Sequence, residues 1–127
     1  MLTREQILAA RDLGFEDVPV PEWGGDVRIG VMGGKVRGAL MDALVEKQPV
    51  ERFQALMLAS TIVDENGKQL FSAEDVEQLS DKNTDVLVRL VAVAMRLNKI
   101  GQKATEDAEK NSEAAQSGSS GSDSPAN

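Results

Sequence analysis

The chain contains no cysteine, no histidine and no tyrosine. Their absence removes the thiol nucleophile, the commonest general base and the usual transition-metal ligands. No disulfide framework of the kind found in small secreted scaffolds can form. Aromatic residues make up 3% of the chain. They are Phe15, Trp23, Phe53 and Phe71, so a core has to be built from Leu, Val, Ile, Ala and Met. No apolar run approaches the roughly 18 residues of a membrane span. Met1-Leu2-Thr3-Arg4-Glu5 lacks the basic-then-apolar pattern of a signal peptide. Excess positive charge is also missing, since 21 acidic residues outweigh 14 basic ones for a net charge of −7. Arg and Lys are scattered singly among acids, which excludes a basic stripe for nucleic acid. A soluble cytosolic protein is the expectation, with no cofactor, no metal, no nucleic acid and no membrane among its partners.

At 127 residues the chain has the length of one domain. Its fold class reads as α+β: four to five helices, an N-terminal β-hairpin and a disordered C-terminal tail. The boundaries are 1–105 for the mostly helical domain and 106–127 for the tail. Thr3 and Gln6 have capping-box spacing and open a helix to about Leu13, with Ile7, Leu8 and Leu13 as its apolar face and Gly14 at its end. The alternating prolines of Val18-Pro19-Val20-Pro21-Glu22-Trp23 restrict that stretch to an edge strand or arm. Gly24-Gly25 then reads as a tight turn into the strand Asp26–Val31. Helices are expected over Lys35–Lys47 and Val50–Ile62 from their apolar spacing. Asp64-Glu65-Asn66-Gly67-Lys68 is a turn, joining Ile62-Val63 and Leu70-Phe71 in a small hairpin. Ser72 and Asp75 open a short helix to about Leu79. From Asp85 to Ile100 the helix is apolar nearly all round, so it is either central in the core or lends a face to a partner. Beyond it, the Gly/Ser tract of 116–124 has no large apolar residue to offset the entropy of ordering.

Three possible chemical sites fall short. Gly30-Val31-Met32-Gly33-Gly34-Lys35-Val36 has Ile29 where a phosphate loop needs its first Gly, and Val36 where it needs a hydroxyl. Asp64-Glu65-Asn66-Gly67 puts Gly fourth rather than sixth for a calcium loop, with Lys68 among the would-be ligands. A carboxylate pair for hydrolysis needs only two positioned acids, yet most acids here lie in caps, turns and polar helix faces. Trp23 either anchors the hairpin arm or contacts a partner.

Leu2-Thr3-Arg4-Glu5-Gln6-Ile7-Leu8-Ala9-Ala10, followed by Val20-Pro21-Glu22-Trp23-Gly24-Gly25-Asp26-Val27-Arg28-Ile29, resembles the tail assembly chaperones of long-tailed, siphovirus-type phages. Ile62-Val63-Asp64-Glu65-Asn66-Gly67, the Leu70-Phe71-Ser72 after it and the helix end Arg96-Leu97-Asn98 resemble them too, so the likeness covers roughly 1–111. One departure is the glycine-rich Met32-Gly33-Gly34-Lys35-Val36-Arg37, where the family has a charged helix start. The resemblance implies a non-catalytic protein of the host cell cytoplasm that binds the tape-measure protein, keeps it soluble and recruits tail-tube protein subunits. It also implies self-association and absence from the mature virion. Alternatives are a structural or head–tail joining component of the virion, another small protein-binding adaptor, or a small carboxylate hydrolase.

Spare apolar positions nominate Phe53, Met57, Leu87 and Met95 for the partner surface. Met32, Met41, Met57 and Met95 offer pliable contacts for a repetitive client, although for any one of them filling a gap in the core is the simpler reading.

Overall fold

The computed structural model describes residues 1–101. By its contacts the chain divides into Met1–Ala94 and Met95–Asn127. The expected boundary at 105/106 and the expected disordered tail lie outside the described residues.

Helix α1 (Arg4–Ala9) opens with the anticipated capping box. Gln6 N–H donates to Thr3 Oγ1 at 3.2 Å, and Thr3 N–H donates to Gln6 Oε1 at 3.0 Å. The helix stops at Ala9 rather than Leu13, because Ala10 turns to extended backbone. None of its residues is buried. So short a helix with no buried residue has little to prolong it.

Strands β1 (Phe15–Val20) and β2 (Gly25–Gly30) form the expected antiparallel hairpin, in register from Phe15↔Gly30 to Val20↔Gly25. Its turn differs from the sequence expectation. Pro21–Trp23 make a 3-10 turn, Gly24 takes a left-handed φ of 82°, and its N–H bonds Pro21 O at 3.1 Å. Proline has the φ for a first helical position, and glycine alone enters the left-handed region without strain. Pro21 and Trp23 therefore leave the strand for the hairpin tip. Pro19 stays in β1, an edge strand where a missing donor is tolerated. Across the pair, Arg28 grips Asp17 through Nε–Oδ1 (2.7 Å) and Nη2–Oδ2 (3.0 Å) and lies 3.8 Å from the centre of the Phe15 ring.

Helices α2 (Gly34–Ala43) and α3 (Val50–Thr61) follow, and then β3 (Ile62–Val63) adds a third strand antiparallel to β2. The small hairpin expected after it is reduced to a Val63↔Gln69 bridge. Its turn closes from Gly67 N–H to Asp64 O at 3.0 Å, with Gly67 at φ 84°. A 3-10 turn (Ala73–Asp75) leads into α4 (Val76–Ser80). Asn83 Oδ1 accepts from Val86 N–H at 3.2 Å and caps α5 (Thr84–Asn98).

The core sits around α3, where Ala55, Leu56, Met57, Leu58 and Ala59 are all buried. Five successive buried positions exceed one turn of 3.6 residues, so α3 is covered on every side. It packs against α2, α4 and β2. Buried Thr61 is satisfied by donating to Met57 O at 2.8 Å. Helix α5 is the less enclosed of the two. Val86, Leu87, Leu90, Val91 and Ala94 are buried, whereas Val88 is 52% exposed. Over the described residues the architecture is thus α+β with five helices and an N-terminal antiparallel sheet.

In the second unit, α5 ends in a Schellman motif: Ile100 N–H bonds Met95 O at 2.9 Å and Lys99 N–H bonds Arg96 O at 3.3 Å. The left-handed position is taken by Lys99, at φ 56°. A β-carbon is disfavoured there. Lys99→Gly should raise stability by about 0.5–1 kcal/mol, seen as a higher urea midpoint at unchanged slope. A lower midpoint would show that the lysine side chain contributes more than its backbone strain costs.

A candidate functional site at the hairpin tip

The hairpin tip is tied to α5 by one bidentate pair. Arg89 donates from Nη1 to Glu22 Oε2 at 3.1 Å and from Nη2 to Glu22 Oε1 at 2.9 Å. Glu22 and Trp23 are neighbours within the 3-10 turn, so the pair also fixes where Trp23 stands. Trp23 forms one wall of a concave groove of about 260 Å³. Its other lining residues are Phe71, Asp75, Gln78, Leu79 and Lys82. Chain order brings them together. Phe71 follows the Asp64–Gly67 turn, Asp75 ends the 3-10 turn, Gln78 and Leu79 lie on α4, and Lys82 follows it.

The groove has an apolar floor and a polar rim. Leu79 is buried, Phe71 is half-buried and Trp23 is 37% exposed. Asp75 is committed locally, its Oδ2 accepting from Ser72 N–H at 2.9 Å. Among the described residues no cluster of three or more acids could hold a metal ion, and no helix is long and apolar enough to cross a membrane. The surface is suited to receiving apolar side chains.

Among the described residues, three carboxyls are held below their ordinary range. The Arg28 guanidinium does this for Asp17 and that of Arg89 for Glu22; for Asp64 it is the backbone N–H groups of Lys68 and Asn66. Lowered pKa values mean that these groups stabilise the fold at neutral pH and lose that contribution as pH falls through their folded-state values. Stability should therefore drop below about pH 4, where free carboxyls begin to protonate. In an Asp17→Asn/Glu22→Gln variant the urea midpoint should change less between pH 7 and pH 3 than in the parent chain. Parallel curves would mean that other groups carry the acid sensitivity.

Of the four residues nominated from sequence, Phe53 is half-buried on α3, and Met95 is half-buried in the second unit. Met57 and Leu87 are closed off in the core, at 0% and 1% exposure. That is a correction for those two: both helices supply core at these positions, leaving no side-chain surface for a partner in this conformation. Around the groove and on α5, Trp23 (37%), Leu70 (56%) and Val88 (52%) are exposed and Phe71 is half-buried. The signal that could have found the groove was the scarcity of aromatics, since two of the four line it. Trp23 serves both alternatives, being tethered through Glu22 and still partly open to solvent.

A family model described as phage tail assembly chaperone matches residues 34–112, more than half of the 127. Among solved structures, the bacteriophage HK97 tail assembly chaperone aligns with a TM-score of 0.52 at 21% identity. The alignment covers 73% of this chain and 90% of that one. At that identity the likeness speaks for the fold. No curated protein matches the chain. With the model spanning α2 to α5 and the groove's Phe71-to-Lys82 wall, the chain belongs to the phage tail assembly chaperone family.

Proposed function

We propose that the groove receives apolar helical segments of the tape-measure protein. By shielding them, this chaperone keeps the client soluble in the host cytoplasm, and it brings tail-tube subunits to the client before leaving the finished particle. The observation that supports this reading is the tethered, partly open Trp23 beside Phe71 and Leu79. An amphipathic helix can set one or two large side chains on such a floor while the polar rim meets its charged flank. A single shallow groove binds weakly. Weak, repeated binding along a long client protects it and still permits release when tube subunits compete. The role is non-catalytic, which is consistent with the family and with a site built from apolar walls.

The test is co-expression with the tape-measure protein, followed by affinity capture and measurement of soluble client. A soluble complex of the two supports the reading. An insoluble, unbound client beside well-folded chaperone overturns it. Purified particles distinguish the virion-component alternative, because a chaperone should be absent from them.

A further inference from the structure

The size of the groove limits what enters it. A dry cavity of roughly 150 Å³ holds one benzene ring, so a hollow of about 260 Å³ holds one large side chain or two small aliphatic ones. A floor of this kind discriminates weakly between Leu, Ile and Met, which are near-equal in volume. Choice among apolar helices has to come from the rim.

The polar groups of the rim are unequal. Asp75 is already engaged, its Oδ2 accepting from Ser72 N–H at 2.9 Å and from Ser72 Oγ at 3.4 Å. Among the described residues, the Lys82 ammonium, the Gln78 amide and the Trp23 indole N–H have no protein partner. Ammonium and indole only donate, and the amide does both. The open hydrogen-bonding capacity around the floor is therefore mostly donor, with one full positive charge. What answers it is a negatively charged acceptor, set one helical turn from an apolar anchor. The net charge of the chain, −7, argues the other way, since from a distance it attracts basic partners. At 0.15 M salt, however, the Debye length is about 8 Å. Remote acids are then screened, whereas a group in contact with Lys82 still feels its charge. Asp81, next to Lys82 in the chain, does not line the groove.

We propose that the groove selects amphipathic helices carrying Glu or Asp three or four residues from the anchoring Leu or Met, and that Lys82 reads the acid. Positions three and four apart share a helix face, with about 5–6 Å between β-carbons, so one helix sets both groups over the groove. The inference rests on the groove being the client site and names which stretches of a client it takes. Apolar stretches flanked by acids are bound, and those flanked by lysine are passed over.

Trp23 is the chain's single tryptophan, so its emission reports on the groove directly. Two tryptophan-free, Ala-rich helical peptides serve as probes, identical except for Glu or Lys four residues from a central Leu. Titrated to millimolar concentration in 0.15 M NaCl, the Glu peptide should bind about three- to tenfold more tightly, the scale of one exposed attraction gained and one repulsion avoided. In 1 M NaCl the ratio should fall toward one. Lys82→Glu, altering an exposed side chain, should reverse the order. If that variant unfolds, Lys82→Gln takes its place and should erase the order. Lys47→Glu makes the same change of net charge away from the groove lining and should leave the order as in the parent. Equal binding of the two peptides overturns the proposal, as does preference for the Lys peptide or silence of Trp23 toward both. A Lys47→Glu variant that shifts the order as far as Lys82→Glu overturns it too, because the field of the whole chain would then be choosing. If affinity capture retains the tape-measure protein while the peptides show no order, only selection by charge is refuted and the groove keeps its client.

Discussion

Met57→Ala and Leu87→Ala should each cost about 3 kcal/mol of folding stability, the middle of the range for truncating a fully buried Met or Leu. Both side chains are enclosed, at 0% and 1% exposure, in a core to which the sheet and helices α2 to α5 contribute residues. Collapse around the lost atoms would therefore be partial, leaving a cavity as well as a lost transfer energy. In a domain of about 100 residues such a loss lowers Tm by more than about 10 °C. Urea unfolding followed by far-UV circular dichroism measures it directly. Client binding by these variants should fail only under conditions where the fold itself is failing. If either variant unfolds at the parent midpoint but no longer binds client, that residue acts at a surface, and its assignment to the core is wrong.

The second large effect is expected at the tip. Trp23→Ala should weaken client binding by about 2 kcal/mol, or some thirtyfold, the scale of an aromatic anchor in a partly desolvated groove. Its stability cost should be smaller than that of Met57→Ala, since Trp23 is 37% exposed. Arg89→Glu tests the tether. It places two carboxylates together where a bidentate pair stood, so the tip should swing away and client retention should fall. Glu22→Arg added to Arg89→Glu recreates the pair with reversed polarity and should recover retention. Failure of the double reversal to recover, with the fold intact, would show that Arg89 contacts the client itself rather than positioning Trp23. The assay is the same affinity capture of co-expressed tape-measure protein, so stability and binding can be compared variant by variant.

Local chemistry was the most legible part of the fold. The Thr3/Gln6 box and the hairpin from β1 into β2 rest on interactions within a few residues, and both are where the pattern puts them. So is the α-helical reading of 50–62 and 85–100. Misreadings arose where two local signals competed. Gly24-Gly25 resembles a two-residue turn, but Pro21 already has the φ of a 3-10 start, so the turn began three residues earlier and Trp23 moved to the tip. Asn66-Gly67 likewise resembles a tight hairpin, whereas Asp64 Oδ1 takes the N–H groups of Asn66 and Lys68 at 2.8 and 2.9 Å. That arrangement shapes the loop from Asp64 and leaves little of the return strand.

Which apolar residues would be inside was harder to read. Helix 85–100 has the more continuous apolar composition, yet α3 is the enclosed one, since α2, α4 and β2 all pack on it. Composition counts how much a helix could bury; only its neighbours determine how much it does. Ile7 and Leu8 make the same point in reverse, being apolar, regularly spaced and left in solvent. By itself, the sequence determined the class of the fold, the capping box of α1, the absence of thiol and imidazole chemistry, and a likeness to tail assembly chaperones. Tertiary structure alone decided that Trp23, Phe71 and Leu79 share a groove and that Met57 and Leu87 do not reach a surface. The physical reason is range: capping and turn preferences act over three or four residues, whereas the Glu22–Arg89 pair joins positions 67 apart in the chain.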